Sequence, residues 1–129
     1  MRARVPVRRA EGGEGWLVRL TPSQLDLLGR SAGAFAELVP DEAQRDFVLG
    51  PEGASLATLF AIEHDPDHSS DVRATDGQLR SMHALLVTLL ALLPSERECV
   101  ERLGYFRANV SDVALGLRHG YGKAAVERG

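Results

Sequence analysis

The chain has 129 residues, 44% of them hydrophobic and 26% charged, with a net charge of −3. That length can bury a core without metal or disulfide staples, and the single Cys99 excludes an internal disulfide and fits a reducing cytoplasm. The negative balance argues against a generic nucleic-acid binder, and the most apolar run, Ala84 to Leu93, is about half the length that a bilayer crossing needs.

In chain order the sequence lays out a single domain over residues 1–129. Residues 1–20 are expected to form a β-hairpin: Arg2 to Arg9 alternates around Val5 and Val7, and Trp16-Leu17-Val18-Arg19-Leu20 is a second extended run. Glu11-Gly12-Gly13-Glu14-Gly15 supplies the turn. The basic N-terminus runs into that turn rather than into an apolar segment, so no secretory signal is expected. A first helical unit, 21–63, opens with Thr21 as N-cap and Pro22 at the first helical position. Leu25, Leu28, Ala32, Phe35 and Val39 share one face, and Pro40 ends the helix. A short helix from about Glu52 to Glu63 follows, then a polar linker over 64–71.

The second unit, 72–120, repeats the opening, with Thr75 as N-cap. Leu79, Met82, Leu86, Leu89 and Leu93 make its stripe, and Leu85, Leu90 and Leu92 widen it until the helix is apolar nearly all round, which predicts the buried centre of the fold. Ser95 with Glu98 is a capping box that starts the last helix. Val100, Leu103, Arg107, Val110, Ala114 and Leu117 step three and four apart, predicting a continuous helix of about 22 residues. Gly104 and Gly116 cost that helix roughly 1 kcal/mol each. Gly120 and Gly122 should end it and leave 121–129 as a frayed tail.

The stretch from Val18 echoes 54 positions later. Val18-Arg19 matches Val72-Arg73, Thr21 matches Thr75, and Gln24-Leu25 matches Gln78-Leu79; Leu38, Pro40 and Glu42 match Leu92, Pro94 and Glu96, and Leu49-Gly50 matches Leu103-Gly104. The expected fold is therefore mainly α: an N-terminal β-hairpin plus about four helices, with an internal two-fold helical repeat.

Side chains that carry chemistry are sparse, and neither an enzyme nor a cofactor is expected. The densest set of ligand types is His64, Asp67 and His68, with Glu63, Asp65 and Asp71 nearby; it could suit zinc or manganese, but a solvated Asp- and Pro-rich loop uses the same letters. Ser69-Ser70 with His68 and Asp71 lacks the strand-turn-helix setting that exposes a nucleophile. Gly12-Gly13-Glu14-Gly15 is too short and acidic to cradle phosphate. His83 lies on the Leu79, Leu86 and Leu90 face as a core histidine, and Cys99, flanked by Glu98 and Glu101, is a packing residue rather than a nucleophile. The contact candidates are Arg4, Arg8 and Arg9 on the hairpin and Arg107 and Arg118 on the last helix, with Arg73 and Asn109 as lesser polar candidates.

Two stretches resemble known families. Asn109-Val110-Ser111-Asp112-Val113-Ala114-Leu115-Gly116, with Gly120-Tyr121-Gly122, resembles the second helix-turn-helix of AraC-type transcription regulators, in which such a helix leads through a turn into a major-groove recognition helix. That likeness implies a helix break near Leu117 and salt-dependent DNA binding through Ser111 to Lys123. Thr75-Asp76-Gly77-Gln78-Leu79-Arg80, the Leu-rich helix after it, and Asn109 with Ala114-Leu115-Gly116 and Arg118 are similar to an actinobacterial family of unknown function commonly encoded beside the Clp protease adaptor. This second likeness covers more of the chain and implies a helical, non-catalytic protein. The expectation is a small cytoplasmic interaction or regulatory protein, with no membrane association, that meets a protein partner or its own copy through the last helix. A DNA-binding regulator is the alternative.

Overall fold

The computed structural model describes residues 4–127. Arg2 of the basic N-terminus and Arg128-Gly129 of the expected tail lie outside the described residues.

The hairpin forms as the alternation requires, from β1 (Val7–Arg9) and β2 (Trp16–Leu20) paired antiparallel with Val7 opposite Val18. A third strand, β3 (Ser70–Ala74), pairs antiparallel with the other edge of β2 and places Val18 opposite Val72. Trp16, Val18, Leu20, Val72 and Ala74 point into the core, and Arg19, Asp71 and Arg73 face solvent, the alternation of a sheet covered on one side. The linker expected over 64–71 is thus shorter than the pattern suggested: its last two residues belong to β3. Val72-Arg73 repeats the dipeptide assigned to a strand at Val18-Arg19, but two residues are too few to specify a strand without the pairing to β2.

Helix α1 (Pro22–Leu38) and helix α4 (Asp76–Leu92) each have 17 residues and begin 54 positions apart. Each starts with a complete capping box, Thr21 with Gln24 and Thr75 with Gln78. Helix α2 (Glu42–Leu49) and helix α5 (Glu96–Leu103) have 8 residues each at the same offset. Asp41 caps α2 by accepting from Gln44 N–H at 3.0 Å, so this helix begins ten residues before the Glu52 start expected from sequence. Only a 3₁₀ turn at Gly53–Ser55 and the one-turn helix α3 (Leu56–Phe60) occupy the expected position.

The expected single C-terminal helix is two. Gly104 caps α5 in the left-handed region (φ 76°), which a side chain disfavours, and its N–H closes on Val100. Helix α6 (Arg107–Glu127) starts afresh: Phe106 N–H donates to Asn109 Oδ1 at 3.0 Å, and Arg107 N–H to Glu96 Oε2 at 2.7 Å. The three- and four-residue stripe survives the break because each half keeps its own apolar face. Downstream, α6 passes through Gly120 and Gly122 without ending, so neither the frayed tail expected from residue 121 nor a turn near Leu117 is formed. The described residues thus contain six α-helices rather than about four.

The core is one cluster in which Met82, Leu85 and Leu86 of α4 are completely buried. That helix packs on α1, α2, α3, α6 and β3. Covering is not complete, however, since Val87 and Leu92 keep 46% and 42% of their surface in solvent. No helix among the described residues is long and apolar enough to cross a membrane.

Candidate functional site

Most residues singled out from sequence have structural work. Arg8 and Arg19 both reach Asp71 on the open face of the sheet, at 3.2 and 3.1 Å. The hydrogen bonds from Arg19 and then Arg8 hold the Asp71 carboxyl below its ordinary range, and Asp71 in turn raises Arg19. Arg9 stacks 4.7 Å above the Trp16 ring and donates to the Gly13 carbonyl. Arg107 is half-buried, and its guanidinium donates to the carbonyls of Leu90 and Leu93, satisfying the orphan C-terminal groups of α4. Asn109 caps α6. Arg4, Arg73 and Arg118 are exposed.

The loop after α3 closes on itself. Asp65 accepts from Asp67 N–H at 2.8 Å and pairs with His68 Nδ1 at 2.7 Å, while His64 Nδ1 lies 3.4 Å from the Ile62 carbonyl. Those contacts, backbone first, lower the Asp65 carboxyl, and all of these side chains are exposed. No group of three or more His, Cys, Asp or Glu side chains is gathered for a metal among the described residues, so His64, Asp67 and His68 do not converge. Cys99 is buried, and burial followed by the Glu96 charge pushes its thiol up, away from reactivity.

Two depressions beside α4 are walled mainly by apolar surface. The first lies on an apolar face shared by α2 and the exposed side of α4. Phe47 stands out from α2 with 91% of its surface in solvent. Beside it runs a groove of about 450 Å³, walled by Val39, Ala43, Val48, Thr88 and Leu92. Val87 and Ala91, both exposed, extend the strip along α4, and no charged residue occurs from Ala84 to Pro94. Sequence gave the α4 half of this face, as a helix apolar all round. Phe47 was missed, because placing it needs the boundaries of α2.

The second feature is a cleft of about 250 Å³ between α4 and α6. Leu79, Leu117 and Tyr121 line it, with Asp76, Arg80, His83 and Arg118 around them. Asp76 Oδ1 accepts from the Trp16 indole N–H at 2.6 Å and from Tyr121 Oη at 3.4 Å. The Tyr121 ring stands edge-on to Trp16, with centroids 5.2 Å apart. Burial, and then the charge of Arg118, lower the His83 pKa below its ordinary 6.5. Of the contact candidates only Arg118 lines this cleft, beside His83, which was expected in the core and is half-buried.

The chain matches no protein-family model, no curated protein and no solved structure.

Proposed function

We propose that this protein is a small, non-enzymatic cytoplasmic interaction protein that works by docking through the α2/α4 face, and that the occupant is a second copy of the chain. The observation that carries this is Phe47, a large aromatic side chain held almost wholly in water on an ordered helix beside an apolar groove. Knob and groove on one face make a self-complementary surface, as a two-fold contact requires: Phe47 of each copy enters the groove of the other. No charged side chain lines the groove itself, and the charges of α2 near it are of both signs, Glu42 and Asp46 with Arg45. Burying one Phe contributes roughly 2 to 3 kcal/mol, so two exchanged rings offset part of the roughly 4 to 15 kcal/mol that association costs, and the rest of the apolar face must supply the surplus.

The two halves of the chain supply an internal comparison. The equal lengths and 54-residue offset of β2, α1 and α2 against β3, α4 and α5 favour a duplicated βαα unit, with Val18 and Val72 facing each other across its two-fold axis. Under that correspondence Phe47 and Val48 match Glu101 and Arg102, and Arg102 reaches Glu37 of α1 at 3.6 Å. The same position in the fold accepts charge, so the apolar choice on α2 is not demanded by folding. The last helix is a weaker contact surface than its length suggested, since Val110, Val113, Ala114 and Leu117 are buried against the core.

Sedimentation velocity on the full chain and on Phe47→Glu tests the proposal. A concentration-dependent dimer that the substitution dissociates, with unchanged melting temperature, supports it. A wild-type chain that stays monomeric at high concentration refutes self-association.

The alternative, a DNA-binding regulator acting through Ser111 to Lys123, draws less support: the helix through those residues is unbroken, and the expected recognition segment is fused to it. Titration with duplex DNA at two salt concentrations, for wild type and Arg118→Ala, separates the two.

A further inference from the structure

We propose that the cleft between α4 and α6 is a binding site for a small organic monoanion, an aliphatic or aromatic carboxylate, seated with its apolar body on Leu79, Leu117 and Tyr121 and its carboxylate between Arg80 and Arg118. The site is separate from the α2/α4 face and does not depend on it.

Charge sets the class of ligand. Arg80 comes from α4 and Arg118 from α6, and neither is in an ion pair among the described residues, although the chain as a whole is acidic. The one carboxylate present, Asp76, offers Oδ1 to Trp16 and Tyr121. Two guanidinium groups against one carboxylate leave the cleft with a single net positive charge, which a carboxylate balances and a phosphate dianion overfills. Arg80 and Arg118 stand on two different helices at the exposed rim of the cleft, and a guanidinium fork suits a carboxylate better than an ammonium does. His83 enters as the neutral imidazole, able to donate one hydrogen bond without changing that balance.

Shape sets the size. Leu79 and Leu117 are buried, so the floor is firm. Tyr121 is held by Asp76 and by the edge of Trp16, so the wall is organised before any ligand arrives. A volume of about 250 Å³ lies below the usual range for drug-sized molecules and suits about ten non-hydrogen atoms.

The test is an NMR titration of the full-length chain with hexanoate, hexan-1-ol and inorganic phosphate. Hexanoate should shift the His83 and Tyr121 ring signals saturably, with a dissociation constant on the order of 1 mM for so small a ligand. Hexanol should bind at least about tenfold more weakly, and Arg80→Gln and Arg118→Gln should each weaken hexanoate by about tenfold. Bound hexanoate should also raise the His83 pKa, because an adjacent anion favours the imidazolium. Equal binding of hexanol would mean a merely apolar depression, and equal binding of phosphate would mean a patch with no use for the floor. Either result, or undiminished hexanoate binding in both arginine variants, overturns the proposal. The wild-type comparison of hexanoate with hexanol requires no variant, and a chain that proves monomeric can still bind hexanoate.

Discussion

Two glycines two residues apart in α6 should respond to the same substitution with opposite sign. Both sit in helix interior, where Gly→Ala ordinarily stabilises by about 1 kcal/mol by removing backbone freedom from the unfolded chain. At Gly122 nothing lies within 4 Å of an added Cβ, so Gly122→Ala should gain roughly 0.5 to 1 kcal/mol. At Gly120 the added Cβ would stand 2.2 Å from the Val5 carbonyl oxygen and 2.9 Å from a Val7 methyl. The first of these is backbone, which cannot rotate aside, so α6 must back off the strand it covers. Overpacking of that kind costs about 3 kcal/mol at its upper end, leaving Gly120→Ala about 2 kcal/mol less stable after the helix gain is subtracted. For a domain of this size 1 kcal/mol moves the melting temperature by about 3 to 4 °C, so calorimetry should show Gly122→Ala melting about 2 to 4 °C higher and Gly120→Ala about 6 to 8 °C lower. A stabilised Gly120→Ala would mean that α6 does not lie against Val5. A destabilised Gly122→Ala would restore the turn expected from sequence, since alanine is penalised where glycine adopts a positive φ.

Three further outcomes follow from the contacts. Tyr105 donates to Asp26 at 2.7 Å, and burial, followed by that bond and the Asp26 charge, pushes its phenol up to about 12. A raised folded-state pKa means that this contribution is complete below about pH 10 and is lost as pH climbs from 10 to 12; urea titrations should show that loss in the wild type and not in Tyr105→Phe. His83 has the opposite sense: its lowered pKa favours the neutral ring in the fold, so its contribution is complete above about pH 6.5 and is lost as pH falls below it, a slope that His83→Gln should flatten. Arg107→Ala strands the carbonyls of Leu90 and Leu93 and should destabilise by about 2 kcal/mol in urea melts, with Arg107→Lys recovering only part of the loss.

Local signals read well where the chemistry is local. Thr21 and Thr75 are legible as caps because a hydroxyl at the head of a helical run needs no distant partner; Gln24 and Gln78 complete both as capping boxes, whereas the box expected at Ser95 forms only its bond from Glu98 N–H. The hairpin was legible from alternation and its glycine-rich turn. β3 was not, because five residues with only Val72 and Ala74 inward carry too little pattern, and pairing with β2 supplies what they lack. The break at Gly104 was hidden for another reason: a stripe at three- and four-residue spacing runs through a short turn as readily as through a continuous helix. Gly120 read as a helix stop because glycine serves both as a terminator and as the residue that lets a backbone come close, and only the neighbouring strand decides between them.

The candidate surfaces divide in the same way. The sequence by itself determined the helical class, the Thr caps and an α4 helix with more apolar surface than a small core can cover, all of which depend on neighbours within a few positions, and it displayed the 54-residue echo by direct comparison. Tertiary structure decided which part of that surplus stays in water, put Phe47 beside it, drew Arg107 inward to close α4 and left Arg118 facing His83. Burial and charge pairing at those places are set by residues tens of positions away, and a periodicity of three or four residues holds no record of them.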